Sequence, residues 1–349
     1  MDTKQIESTK GGGPSDVEEE EKRTVLEETA SLSRLVEKLN ITGTVNNVQE
    51  KNDTELEEKI QEEEIIHKKI LFWNVAGLNK KMEDKEKKNA FLNYIKEFDI
   101  VGLSETWIRE YKWIEIEKKL LEGYQWKHQH AIKEAAKGRA KGGILIGIKK
   151  EWELKRGNLI PTVKFIGNGV IESKLQIGND KWTIWTIYRD KKEKDSMTKV
   201  IEYLRERIKP KYEDFFIMGG DMNVRIGEEG SMGIKMAERY EIVQEKRKSK
   251  DKTRDAEGKA LLSLCKERGW YILNGNVVGD EEGEYTYSQH RKIPSSSETG
   301  SSVNDYVIVN IKVLGRIRRF QVGNRPESDH RPLEVEVNIE EEYSEDSEE

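Results

Sequence analysis

The 349-residue chain is 35% hydrophobic and 37% charged, too polar for every residue to share one compact core, and no apolar run reaches the length of a membrane span. Its net charge of −6 conceals a division: residues 1–67 carry 18 acidic and 8 basic side chains, residues 339–349 carry seven acidic and none basic, and the 68–338 body carries 53 basic against 42 acidic, as a protein acting on a polyanion would. A single cysteine, Cys265, excludes a disulfide framework within the chain.

Residues 1–67 read as an acidic arm, disordered around Gly11-Gly12-Gly13-Pro14 and helix-favouring over 18–39 and 53–66. The start of the chain lacks the apolar core of a secretion signal. Spacing of the apolar residues in the arm is too irregular for a coiled coil, so a solvated helical arm is preferred over self-association. Buried strands are expected at 70–75, 99–105, 142–148 and 215–221, and a hairpin from 163–177 and 181–188 turning at Gly178-Asn179-Asp180. Amphipathic helices are expected at 85–97, at 196–208 closed by Pro210, and at 257–268 stopped by Gly269. Cys265 falls in the last of these as a structural thiol. Residues 225–256 form a long charged connection whose basic run 246–250 either grips phosphates or is merely solvated. Strands at 303–309 and 333–337 complete the body, and 339–349 is a disordered acidic tail. Strands outnumbering helices, with apolar and amphipathic runs alternating, indicate an α+β or α/β sandwich: two packed mixed β-sheets flanked by helices.

Polar residues recur where these strands end: Asn74, Glu105, Asp221 with Asn223, Asp305, and Asp329-His330. Any one of them suits a turn or cap, but five such sites in one chain point to catalytic groups held on a rigid scaffold. His128 and His130 lie in a polar stretch without further recognisable ligands, which argues against zinc. Trp107, Trp113 and Trp126 read as packing residues.

Trp73-Asn74-Val75-Ala76-Gly77-Leu78, Ser104-Glu105-Thr106-Trp107, Gly220-Asp221-Met222-Asn223, Asp305-Tyr306 and Ser328-Asp329-His330 occur in an order that resembles the endonuclease/exonuclease/phosphatase superfamily, over about residues 68–338. Finer features are similar to the endonuclease domain of non-LTR (LINE-type) retrotransposons: Phe98 to Trp107, Lys141-Gly142-Gly143, Gly220 to Gly227, Glu257-Gly258, and Gly300 to Val303. The resemblance implies a DNase I-like fold and a Mg²⁺-dependent DNA endonuclease, with Mn²⁺ the alternative ion. Glu105 is implied as metal ligand with Asp329 as a second. Asp221 would orient or deprotonate the attacking water, Asn74 and Asn223 would position water and phosphate, and Tyr188 would contact the phosphate. His330, paired with Asp305, would stabilise developing charge. The chain departs from the pattern at Ala76, where many relatives carry an acid, and at Asn304, where an aliphatic residue is usual. An inositol phosphate phosphatase of the same fold ranks lower, because its Pro-x-Trp-x-Asp-Arg segment is absent; a catalytically weak DNA-binding remnant is the reading from a different class. DNA as partner, with no membrane contact, implies an intracellular, nuclear location.

Overall fold

The computed structural model describes residues 65–340 apart from 134–137, 151–161, 166–168, 178–179, 194–195, 208–213, 234–245 and 290–299. The acidic arm up to residue 64, the tail from 341, Pro210 and the Gly178-Asn179 turn lie outside the described residues. Fourteen strands are described: β1 Ile65–Asn74, β2 Ile100–Ser104, β3 Tyr124–Gln129, β4 Ile144–Lys149, β5 Thr162–Phe165, β6 Val170–Ile177, β7 Asp180–Tyr188, β8 Phe215–Asp221, β9 Tyr271–Ile272, β10 Tyr287–Ser288, β11 Ser301–Ser302, β12 Asp305–Val309, β13 Ile317–Val322 and β14 Leu333–Glu340. They form two six-stranded mixed sheets, ordered β13-β14-β1-β2-β4-β3 and β5-β6-β7-β8-β12-β9, and a small β10-β11 ribbon.

Alternation along the central strands makes the sandwich. In β1, Ile70 and Phe72 face the apolar interior shared with Ile184, Ile217 and Val307 of the second sheet. Leu71 and Trp73 turn outward onto the helix Lys85–Ile95, through Phe91 and Ile95. On the far side, Trp185 and Met218 meet Leu204 of the helix Ser196–Arg207 and Leu261 and Leu264 of the helix Ala256–Arg268. A period of two with both faces apolar is what a strand covered on both sides requires. The resulting layers are helix, sheet, sheet, helix. Cys265 is buried on the second helix, and burial pushes its thiol up to about 12. Gly269 ends that helix in the left-handed conformation, φ 63°.

Several elements differ from the sequence reading. The β1–β14 ladder pairs Ile65 with Glu340, so the sheet takes in residues on both sides of the 68–338 body. The 163–177 stretch is two strands, with Gly169 before the second at φ 103° and its carbonyl accepting from Tyr188 N–H. The edge strands β3 and β13 were not expected at all. Among the described residues no helix is long and apolar enough to cross a membrane.

Topology gathers the polar strand ends. β1 runs parallel to β2, and β7 parallel to β8, so Asn74 sits beside Ser104 and Tyr188 beside Asp221. β12 is antiparallel to β8, which brings its first residue, Asp305, against Asp221. β14 is antiparallel to β1, so the segment entering it, Ser328-Asp329-His330, arrives at the end of β1. The two sheets approach closely below this end because Gly219 admits the Phe72 ring: a Cβ there would stand 2.2 Å from Phe72 Cδ2. Overpacking of that kind costs roughly 1–3 kcal/mol. Gly219→Ala is therefore expected to lower the thermal unfolding midpoint measured by circular dichroism, and an unchanged midpoint would contradict the close approach.

Candidate active site

Asp221 closes β8 and is buried, 1% exposed. Three groups donate to its carboxylate. Asn74 Nδ2 reaches Oδ2 across the sheet interface at 2.9 Å, Asn223 Nδ2 reaches Oδ2 at 3.2 Å, and the Asn223 backbone N–H reaches Oδ1 at 3.0 Å. The other amide hydrogen of Asn223 goes to the Arg189 carbonyl at 2.8 Å, so both are committed to protein acceptors. Burial pushes the Asp221 carboxyl well above the usual carboxylate range, and the nearby Asp305 charge adds to the shift.

His330 is oriented by Asp305, whose Oδ2 and Oδ1 lie 2.9 and 3.1 Å from Nδ1. That leaves Nε2 on the Asp221 side, 3.8 Å from Asp221 Oδ2. Burial alone would lower the imidazole pKa; the Asp305 charge and hydrogen bond outweigh it and raise it to about 9. Asn304, the unusual neighbour, does not disturb this pair. Its N–H donates to Thr286 Oγ1 at 3.0 Å and its carbonyl accepts from Met222 N–H at 3.0 Å.

Glu105 follows the end of β2 in the left-handed region, φ 48°, and accepts a 2.6 Å hydrogen bond from the Tyr188 hydroxyl. Burial, then the Glu105 charge, raise the Tyr188 pKa beyond its ordinary value. Asn223 and Ala76 are also left-handed, at φ 50° and 45°. Residues with side chains rarely adopt that conformation, and it concentrates where function requires it. Glu105, Asp329, His330 and Ala76 line one cleft of about 340 Å³ together with Lys80, Trp107, Arg139 and Tyr287. All eight residues named from the sequence thus cluster at one end of the sandwich: Asn74, Tyr188, Asp221, Asn223 and Asp305 below, Glu105, Asp329 and His330 at the cleft.

Four supporting residues carry roles that the sequence reading did not assign. Thr286, fully buried, donates through Oγ1 to Asp305 Oδ2 at 2.8 Å and accepts the backbone N–H of Asp305 at 3.1 Å. Arg189, 3% exposed, clasps the Asn223 carbonyl at 2.8 Å and pairs with Glu257. Ser328 Oγ donates to the Asn74 carbonyl at 2.7 Å, tying the His330 segment to β1. Buried Lys81 donates to the carbonyls of Val75 and Gly77, fixing the turn after Asn74. A threonine or an isolated arginine carries no motif, so only Glu257-Gly258 and the Tyr188-Arg189 pair could have hinted at them. Much of the basic run 246–250 is engaged within the protein. Arg247 is buried on the carbonyls of Asn274, Gly227 and Glu229, while Lys248 and Lys250 pair with Glu282 and Glu284. His128 stacks on Trp113, ring centroids 4.0 Å apart.

Among the described residues one group of three metal-ligating side chains has its ligand atoms within 4.8 Å of one another: Asp221, Asp305 and His330. The Nδ1 of this histidine is already taken by Asp305, and Asp221 already receives three donors, so the group reads better as an internally bonded acid–base cluster. The carboxylates facing the cleft are Glu105 and Asp329. Both add to the raised pKa of Tyr287, after burial, as expected for concentrated negative charge there. Oxygen donors with excess negative charge fit a hard divalent cation.

The His330 shift has a consequence for stability. Its folded value lies above the unfolded value of roughly 6.5, so the stabilisation is complete below that pH and is lost as pH rises through about 9. In an Asp221→Asn background, where the neighbouring carboxyl no longer titrates, the unfolding midpoint should fall over this window, and adding His330→Gln should flatten the curve. Parallel curves would refute the Asp305–His330 ion pair.

The sequence matches the Endonuclease/Exonuclease/phosphatase family over residues 71–330. No curated protein matches the chain. Solved structures with the same fold include the AP endonuclease LMAP from Leishmania major, at 17% identity and TM-score 0.55, covering 78% of this chain and 88% of that one. A 3′ phosphatase, NExo from Neisseria, bound to a product DNA hairpin, matches at 14% identity and TM-score 0.52, covering 77% and 99%. The endonuclease domain of TRAS1, a telomere-specific non-LTR retrotransposon, matches at 15% identity and TM-score 0.45, covering 78% and 98%. The family match extends from β1 to His330 and takes in every residue of the cluster, and the chain belongs to the endonuclease/exonuclease/phosphatase family.

Proposed function

We propose that the protein is a Mg²⁺-dependent endonuclease that hydrolyses DNA phosphodiester bonds, of the kind found in non-LTR retrotransposons. The observation that carries this reading is the buried Asp221, bracketed by the neutral donors Asn74 and Asn223 on one side and by the His330–Asp305 pair on the other.

A phosphodiester is anionic, so its hydrolysis needs a base for the attacking water and positive charge for the phosphate. Asp221, with its pKa raised by burial, can take a proton from water near neutral pH. Its oxygens are fixed by three donors and cannot swing away. Asp305 keeps His330 cationic and presents Nε2 towards the Asp221 side, where a phosphate oxygen can accept its hydrogen bond. Tyr188 holds Glu105 by one oxygen. Glu105, with Asp329, would hold the divalent cation, which when bound supplies Lewis-acid neutralisation of phosphate charge. The positive balance of residues 68–338 favours a polyanionic substrate. DNA is expected to be met in the nucleus.

Purified full-length protein is expected to nick supercoiled plasmid with Mg²⁺ or Mn²⁺ and to stop when EDTA is added. Asp221→Ala, His330→Ala and Glu105→Ala should each lower the rate on the order of a hundredfold or more. Wild-type nicking by Asp221→Ala or His330→Ala would overturn the assigned roles. DNA binding that falls steeply with salt but brings no metal-dependent cutting would instead identify a binding remnant. Faster phosphate release from inositol phosphates than DNA nicking would identify a phosphatase.

A further inference from the structure

The geometry points to a second phosphate subsite at Lys80 and Arg139 in the cleft, which grips a backbone phosphate flanking the one being cut and so selects polynucleotide over small phosphate esters. This inference rests on the DNA reading above and adds a location for substrate selection to it.

Lys80 and Arg139 are both exposed and both line the cleft that holds Glu105 and His330. Lys248, Lys250 and Lys252 each pair with a glutamate. Among the described residues, no carboxylate pairs with Lys80 or Arg139. Arg139 is instead held by an aromatic ring: its guanidinium carbon lies 4.0 Å from the centroid of Trp107. A guanidinium lying on an indole keeps its planar fork of donors, and less of its freedom is left to lose when it meets a phosphate.

The indole is itself built in. Trp107 adopts φ 56°, in the left-handed region that a bulky side chain rarely enters. Its N–H donates to the Gly142 carbonyl at 3.1 Å. Its ring occupies the space beside Gly77, where a Cβ would stand 2.3 Å from Trp107 Cε3. Backbone strain at a residue two positions from Glu105, locked by two glycines and capped by an unpaired cation, is the kind of outlier that marks a ligand-contacting position. A cleft of about 340 Å³ has the dimensions of a small-ligand site, larger than a single phosphate needs. Its acidic lining, Glu105 and Asp329, suits a cation and the scissile phosphate. Lys80 and Arg139 carry the opposite charge in the same cleft and suit an anion. In a polynucleotide the nearest available anion is the neighbouring phosphate of the same strand.

The test compares full-length wild type with Lys80→Ala, Arg139→Ala, the double variant and Arg139→Lys. Binding to a labelled duplex is followed by fluorescence anisotropy over a range of KCl concentrations, with Ca²⁺ in place of Mg²⁺. Hydrolysis of plasmid and of bis-p-nitrophenyl phosphate, which has no second phosphate, is measured in Mg²⁺. Each alanine variant should bind DNA roughly tenfold more weakly and lower the slope of log K against log salt by about 0.9. Arg139→Lys should keep the slope and lose part of the affinity. Hydrolysis of the small diester and the unfolding midpoint should stay at wild-type levels throughout. Unchanged DNA affinity and salt slope in the double variant would overturn the subsite, as would an equal loss on both substrates, which would mean disturbed chemistry at Glu105. Failure of the wild type to cut DNA while it still binds with the expected slopes would overturn the nuclease reading and leave the subsite standing.

Discussion

The Asn74–Asp221 hydrogen bond is the contact through which the two sheets share one site. Asn74 ends the central strand of one sheet and Asp221 ends the central strand of the other, and 2.9 Å separates their polar atoms. An ionised carboxylate buried this deeply is tolerable only when its lone pairs are met by donors. Asn223 adds two more, held by its left-handed backbone and by Arg189 beneath it. The apolar interior sets the distance at which this happens. Phe72 against Gly219 fixes how near the sheets come, and the polar row above inherits that spacing. Packing and the polar row are thus coupled, since a change that spreads the sheets also takes the Asn74 donor from Asp221.

The same economy appears around His330. Its backbone carbonyl accepts from Trp73 Nε1 at 2.9 Å, its backbone N–H donates to Ser328 Oγ at 3.2 Å, and its ring tilts on that of Tyr287, centroids 4.9 Å apart. Asp305 reaches it from the second sheet, and Thr286, just before the β10-β11 ribbon, orients Asp305 in turn. Three structural units therefore converge on one imidazole. Rotation of that ring would break its bond to Asp305 and its contact with Tyr287, while the backbone bonds to Trp73 and Ser328 fix the segment that carries it, so its Nε2 is held towards Asp221.

Much of this was legible in the sequence, for a physical reason. Central strands covered on both faces are continuous apolar runs, and the polar residue that ends each one is conspicuous: Asn74 after Trp73, Glu105 after Ser104, Asp221 after Gly220. Edge strands are different. β3, Tyr124–Gln129, buries only Tyr124 and Trp126, with Gln125 half-buried between them and Lys127 exposed after them, and β13 carries two adjacent arginines and a register shift. Such edges resemble loops because their outer residues answer to solvent and to unwanted pairing. The supporting residues were hidden for another reason. Thr286 and Arg189 act through contacts with residues far along the chain, Asp305 and Glu257, and no local pattern announces a partner that only folding brings near.

Ala76 shows how a departure from the family pattern is accommodated. Its N–H donates to Asn74 Oδ1 at 3.0 Å, and that bond fixes which face of the Asn74 amide turns to Asp221. The backbone at this position, rather than a side chain, orients Asn74, so an alanine there serves the Asn74–Asp221 bond. What is lost is negative charge in the cleft, beside Glu105 and Asp329. Lys80, four residues on, lines the same cleft, so the side chains contributed to it by this turn are neutral and basic rather than acidic.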